Sequence, residues 1–578
     1  MEINKIKLEH LFFLTAILLA GFVRFLNLGA APLNDQEARL ALDAWQLAQG
    51  AIEVGEFHPA SYPGYVMLTG LLFSLLEPTN FLARFLPAIA GCLLLLVPFL
   101  LRDTLGKPTA ILLAFGLALD PGLVAASRMV SSPVLALTFG VLAVFAWQQK
   151  RARLAGFMAA LFLLSGPPAY HGLVIGFLTL LLLRFVQQPS SSENTSSTSI
   201  SFSLPAFKQA MPVLVVSLLL IGTLFMQVPQ GLAAAANSLM DYLVGWASPP
   251  NLPSGRFMAG VLFYQPVALI FALLSIGRTL YQRRVDWLDL LFIFWAGISL
   301  MHGLLYAGRQ GLDLVWVLVP IWGLAARELA RDLDFSRQHL AAYGQALLII
   351  LLAGLLWFNF AGLARSDPQM NSTAARLILM AGIFTLAAIT TILVSMGWTW
   401  RTGKHGLIFG VLGAGSLYLI SVLWGSNQVG ANSPLEIWST GSAGVQANLL
   451  EKTVLDLSVW KTGFPDRIDI VINSDSPSLR WTLRNFKQLQ VVSTIPTQNL
   501  PSIIITHQNE QPPALTASYR GQDFDWWAYP GWAGALPQNV TSWITFRDAP
   551  LLYEQVILWA RADLFPGGEI VNSNTIQP

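Results

Sequence analysis

Over its first three quarters the chain alternates long apolar blocks with short polar breaks, and over its last quarter that pattern stops. A membrane-crossing helix needs about 20 apolar residues. Blocks of this kind lie near 8–27, 83–101, 108–126, 132–148, 152–166, 169–186, 208–226, 257–279, 287–306, 312–327, 344–362, 375–397 and 405–424, thirteen in all. The first lacks a small-residue cleavage site and continues through Arg24, so it reads as a span and not a removed signal. The run YPGYVMLTGLLFSLLE at 62–77 is short, opens on Pro63-Gly64 and closes on Glu77.

Basic residues decide how 62–77 is read, because cytoplasmic loops are enriched in Lys and Arg. If it does not cross, alternate loops hold 17 and 8 basic residues; if it crosses, every later loop reverses and the asymmetry is scrambled. We therefore expect 62–77 to be a helix lying at the outer interface. The N-terminus is then cytoplasmic, residues 28–82 form a long first external loop, and SSSENTSSTS within 187–207 is a polar cytoplasmic linker. An odd number of spans puts 430–578 outside.

That last region reads as a small α/β domain. Strand-like runs are Ile468–Ile472, Val491–Val492 and Ile503–Thr506, with a helical stretch Ser478–Phe486 between the first two. No repeat of 20–50 residues is visible.

Composition sharpens the class. Of 578 residues, 54% are hydrophobic and 11% charged, against about 25% charged in an ordinary soluble domain. Mean hydropathy is +0.56. These values exclude an ordinary cytosolic enzyme, a disordered chain and a nucleic-acid binder. Residues 1–429 carry 25 Lys and Arg against 19 Asp and Glu, and residues 430–578 carry 9 against 13, so charge also marks a boundary near 430. The single cysteine, Cys92, lies in an apolar run and admits neither an intrachain disulfide nor a CxxC metal site.

Few charges remain for chemistry, and six acids fall in the first external loop: Asp35, Glu37, Asp43, Glu53, Glu56 and Glu77. Asp35 and Glu37 open the amphipathic stretch QEARLALDAWQLAQG, which suits a helix on the membrane surface. Asp35 sits near the N-cap position. It either caps that helix or is a carboxylate held beside a lipid-accessible cleft as a general base.

These features resemble the GT-C superfamily of lipid-linked-sugar glycosyltransferases. The resemblance is to the branch of protein mannosyltransferases (family 39) and the aminoarabinose transferase, and within it to the flippase-associated proteins of archaeal-type N-glycosylation. The family's first-loop "DEA" motif corresponds to Asp35-Gln36-Glu37-Ala38, followed by Arg39 and Ala44-Trp45. Its "HxPxxY" segment is similar to His58-Pro59-Ala60-Ser61-Tyr62-Pro63-Gly64-Tyr65, and its "aRllpAlfG" to Ala83 through Gly91. "SR" in the second loop is Ser127-Arg128, and "WYLRDY" resembles Trp481-Thr482-Leu483-Arg484-Asn485-Phe486. Three departures stand out. Gln36 splits the paired acids. Met129-Val130-Ser131-Ser132-Pro133 lacks the carboxylate that follows the second-loop Arg in many relatives. Ser165-Gly166-Pro167 lacks the Lys that relatives place before Gly-Pro.

The resemblance implies a polytopic α-helical membrane protein with about thirteen spans and an extracytoplasmic C-terminal α/β domain. It implies transfer of a sugar from a polyprenyl-phosphate donor, with inversion, to an external glycan, lipid or protein acceptor. Asp35, or Glu37 in its place, would take the acceptor proton. Arg128 would bind lipid phosphate, since guanidinium matches phosphate oxygens bidentately, unless it forms a salt bridge to Asp120. Arg24 would pair with Asp35 or phosphate, or snorkel to the interface. Arg84 reads as structural. His58 and His171 lie toward the external side, and Arg256 closes the loop 227–256 near the same cleft. A divalent metal, Mg²⁺ or Mn²⁺, would need several oxygen ligands, and the missing acid leaves few. The rival expectation is a non-catalytic member of the fold that binds or helps translocate a lipid-linked sugar. A solute transporter would show broken spans and two-fold repeat symmetry. In the C-terminal region Trp526, Trp527, Tyr529, Trp532 and Trp543 suit either sugar stacking or core packing.

Overall fold

A computed structural model describes residues 8–50, 61–130, 133–186, 204–282, 286–332, 340–365, 372–431, 433–439, 444–496, 500–508, 517–532 and 534–566. Every predicted span coincides with helix, but the helices are unequal. Among the described residues eight are long and apolar enough to cross a membrane, or up to ten if each bent pair counts as one span. These account for ten of the about thirteen expected spans. Segments 132–148 and 152–166 give the shorter helices Val134–Gln148 and Ala152–Leu163. Segment 312–327 becomes Val315–Asp332, a helix buried on nearly all sides that carries Arg327, Glu328 and Arg331.

Two expected spans are broken. Lys107–Leu119 and Pro121–Ser127 meet at 61°, and Ser254–Tyr264 and Pro266–Tyr281 meet at 91°. Each break places a proline at the first position of the second helix, where its missing N–H is no loss but where it cannot continue the preceding ladder. Broken spans are thus present after all, although the sequence carries no repeat that would make them a symmetric pair.

The chain opens with α1 (Leu8–Phe25), α2 (Asp35–Ala48), α3 (Pro63–Leu75) and α4 (Asn80–Leu94). α2 has the amphipathic pattern read from the sequence and buries Ala38, Leu40, Ala41, Ala44 and Leu47 in one cluster with Tyr65, Val66, Met67 and Phe73 of α3. The cap of α2 differs from expectation. Asn34, not Asp35, is the N-cap: its side chain accepts from the Glu37 N–H at 2.9 Å, and Glu37 returns the bond by accepting from the Asn34 N–H at 3.2 Å. Asp35 is the first helical residue, which leaves its side chain available for other contacts.

The C-terminal region folds into a five-stranded sheet of order β2-β1-β3-β5-β4, from β1 (Asp469–Asn473), β2 (Gln488–Val491), β3 (Ile503–His507), β4 (Tyr519–Pro530) and β5 (Leu551–Arg561). β2, β1 and β3 are parallel, as their helical connection requires, and β5 and β4 add antiparallel. Ile470, Ile472, Ile503, Ile505, Phe524, Trp526, Val556 and Leu558 form its core with Leu450, Leu479 and Leu483. Trp526 and Trp543 are fully buried, so these two belong to packing and not to a sugar platform.

Candidate functional site

Both candidate carboxylates of α2 are occupied, each by a different part of the molecule. Glu37 is buried and accepts four hydrogen bonds: from Arg84 Nε at 2.9 Å and Nη2 at 2.6 Å, from the Val130 N–H at 3.0 Å, and from the Asn34 N–H at 3.2 Å. A carboxylate offers about four lone-pair sites, so all of them are filled. Arg84 also donates to the carbonyls of Leu28, Ala31 and Pro32. The pair therefore fixes the 28–37 turn against α4, which is the structural role the sequence suggested for Arg84.

Asp35 points into the C-terminal domain. Its Oδ1 accepts from Ser476 Oγ and the Ser478 N–H, both at 2.9 Å, and its Oδ2 from Trp527 Nε1 at 2.7 Å. Neighbouring contacts extend the seam. Trp481 stacks on Phe73 with ring centres 5.9 Å apart and donates to Asn80 at 2.7 Å, while Arg484 donates to the Pro78 carbonyl at 2.7 Å. The WTLRNF segment is thus a docking element. Trp527 also stacks face to face on His507 at 4.3 Å, which orients its N–H toward Asp35.

Arg24 and Arg128 exchange helix ends. Arg128 donates from Nη1 to the carbonyls of Val23, Arg24 and Leu26, the last at 2.7 Å, at the C-terminus of α1. Arg24, wholly buried, donates to the carbonyls of Leu117 and Ala118 where Lys107–Leu119 ends, and to Ser127 Oγ at 3.2 Å. Unpaired carbonyls at a helix C-terminus attract cations. The expected pairing of Arg24 with Asp35 is absent, and so is snorkelling. The expected bridge from Arg128 to Asp120 is absent too: Asp120 caps Pro121–Ser127 by accepting from the Leu123 N–H and takes Trp322 Nε1 at 2.6 Å.

Two cavities open at this end of the bundle, and Ser439 borders both. The smaller, about 40 Å³, lies among Asn34, Glu37, Arg84, Arg128, Asn427 and Trp438. The larger, about 250 Å³, is walled by Gln36, Asn251, Arg256, Arg309 and Gln310 from the helical part and by Ala528–Pro530 from β4. Among the described residues no carboxylate lines the larger one. Arg256, expected near the cleft, is on it. It donates to the Pro434 carbonyl and lies over the Trp532 ring at 5.2 Å. Its Nε and Trp532 Nε1 are buried without an acceptor. Arg309, one of the eight basic residues in the loops poorer in Lys and Arg, stands beside it. Its position in the short turn AGRQG after an apolar block was the available signal. Arg309 donates to the carbonyls of Gly303, Leu252 and Leu304, which ties the loop before Ser254–Tyr264 to the end of Trp287–Leu305.

Gln36, between the two engaged acids, is the α2 residue that reaches the larger cavity. His58 lies outside the described residues. His171 is buried within a ring cluster, 4.7 Å from Tyr306, 4.9 Å from His302 and 5.0 Å from Tyr242. Among the described residues no three His, Cys, Asp or Glu side chains converge to hold a metal ion. The oxygens of Asp35 and Glu37 already face N–H and O–H donors, so this acid pair does not fit a divalent cation.

The whole-chain architecture has counterparts among solved structures. The crystal structure of ArnT from Cupriavidus metallidurans bound to undecaprenyl phosphate matches with a TM-score of 0.56 at 13% identity, over 96% of this chain and 98% of that one. The same protein in the apo state matches with a TM-score of 0.53 at 13% identity, over 95% and 97%. No known family model and no curated protein matches the chain. The chain has an ArnT-like fold. It is a multi-pass membrane protein with a C-terminal α/β domain, and at this identity the likeness extends to the fold alone.

Proposed function

We propose that the chain binds a polyprenyl-phosphate-linked sugar in the larger cavity, at the extracytoplasmic face of the membrane. The observation that carries this reading is the pairing of Arg256 and Arg309 on a cavity with no carboxylate among its described lining residues. Uncompensated guanidinium groups in a partly dry pocket demand an anion, and a lipid phosphate brings one while its tail stays in the bilayer. The fold supports the choice, because ArnT was crystallised with undecaprenyl phosphate. Orientation follows the positive-inside rule: Arg278, Arg327, Arg331 and Lys404 form an ion-pair network with Asp286, Asp289, Glu328 and Asp332 at the end of the bundle away from the cavity.

Of the two functional expectations, the geometry favours the non-catalytic one. The residue of α2 facing the cavity is Gln36, which cannot accept a proton as a base, and Asp35 is turned into the C-terminal domain. Sugar transfer by Asp35 would require that seam to open.

Binding is tested with the full chain in lipid nanodiscs and undecaprenyl phosphate. Arg256→Gln with Arg309→Gln weakens binding about tenfold or more, and unchanged binding removes the proposal. A transfer assay with polyprenyl-phosphate-linked sugars and membrane acceptors separates the readings. Transfer by the wild type that disappears in Asp35→Asn establishes the enzyme; no transfer, with binding retained, establishes the binding protein.

A further inference from the structure

Among the described residues the lining of the two neighbouring cavities carries four guanidinium groups, from Arg84, Arg128, Arg256 and Arg309, and one carboxylate, Glu37. That carboxylate is held by Arg84. The other acids close to this end do not supply the missing charge. Asp35 is bound by Ser476, Ser478 and Trp527. Glu436 is salt-bridged to Arg547 at 3.0 Å and hydrogen-bonded by Tyr264. Among the described residues Arg128 and Arg309 therefore border open space with no carboxylate beside them, while Arg256 shares Glu436 with Arg547.

Their donors are also only partly used. A guanidinium has five N–H bonds. Arg309 makes three hydrogen bonds and Arg256 one, both to carbonyls, and the buried Arg256 Nε has no acceptor. Trp532 Nε1, under the Arg256 plane, is likewise buried without an acceptor. A polyprenyl-phosphate sugar with a neutral ring carries a single negative charge. Placed here, it would leave a cation uncompensated.

We propose that the ligand headgroup is at least dianionic: either a diphosphate linkage, or a monophosphate linked to a carboxylate-bearing sugar. This rests on the lipid-linked-sugar reading above and adds the charge class of the headgroup. One anionic group sits between Arg256 and Arg309, and the second extends past Ser439 toward Arg128. The same field rejects a cationic amino sugar, for which the lining has no free carboxylate.

The test uses the full chain in nanodiscs with four probes: undecaprenyl phosphate, undecaprenyl diphosphate, an undecaprenyl-phosphate-linked neutral hexose, and its uronic-acid counterpart. At about 0.1 M salt the diphosphate, the uronate or both bind about tenfold or more tighter than the neutral hexose, and the advantage shrinks at about 1 M salt as charges are screened. Preference for the diphosphate alone identifies a diphosphate donor, and preference for the uronate alone identifies an acidic sugar. Arg309→Lys retains the preference, and Arg256→Gln reduces it. Equal affinity for the neutral hexose and both dianions overturns this inference and leaves the binding reading standing. Failure of all four probes overturns both.

Discussion

At the scale of single residues, the chain shows how a motif can be kept while its atoms are put to other uses. Asp35 holds two domains together through three hydrogen bonds, and Glu37 locks a turn through four. Replacing Asp35 by Asn sets an amide N–H against donors on the Ser476–Ser478 turn or on Trp527. We expect the seam to weaken by about 1–3 kcal/mol and amide exchange at 476–482 to accelerate, measured by hydrogen–deuterium exchange on the full chain. Unaltered exchange there would mean that Asp35 does not hold the domain. Glu37→Gln leaves Arg84 buried with no carboxylate partner. Breaking a buried pair from one side costs about 3–5 kcal/mol, so the variant's melting temperature in detergent falls well below that of Asp35→Asn. The acids themselves were legible in the sequence, as was the structural role of Arg84. Their partners were not, because Arg84 and Val130 stand 47 and 93 residues from Glu37, and Trp527 stands 492 from Asp35.

At the scale of elements, the breaks and the sheet carry the lesson. The blocks 108–126 and 257–279 are apolar throughout, and hydropathy alone reads each as one straight span. Pro121 and Pro266 bend them because each opens a new helix instead of continuing the old one. In the sheet, β1 and β3 were legible from apolar runs, the expected run Val491–Val492 meets β2 only at Val491, and β4 and β5 were missed. β4 reads YRGQDFDWWAYP, with polar and aromatic residues mixed, and a bulge between Asp525 and Trp527 interrupts its alternation. The start of β1 gives a pH prediction. Burial pushes Asp469 up, but hydrogen bonds from the side chain and N–H of Ser502, together with Lys461, outweigh it and hold the carboxyl below its ordinary value of 3.8. A lowered folded-state value means that the stabilisation is complete above the unfolded value and is lost as pH falls through the folded one. Thermal melts of Asp469→Asn and wild type therefore differ at neutral pH and converge below about pH 4. A constant difference down to pH 3 would contradict this.

For the whole molecule, the prediction concerns sidedness. The positive-inside reading puts the linker at 187–207 and the C-terminal domain on opposite sides. The only native cysteine is Cys92, so in a Cys92→Ala background Ser191→Cys and Asn448→Cys can be probed one at a time. In intact cells a membrane-impermeant maleimide should label Asn448→Cys and spare Ser191→Cys. Labelling of both, or the reverse pattern, would overturn the orientation.

The sequence by itself determined the class of molecule: apolar block length and scarce charge require a polytopic helical membrane protein, and the strand-like runs after 468 signal an α/β domain toward the C-terminus. These follow from local composition, which a bilayer reads segment by segment. Only the tertiary structure decided which polar groups are free. Arg24 and Arg128 are drawn to helix ends, Asp35 and Glu37 to donors, while Arg128, Arg256, Arg309 and Gln36 border open space. That outcome depends on distances between residues tens to hundreds of positions apart, which no single stretch of the chain encodes.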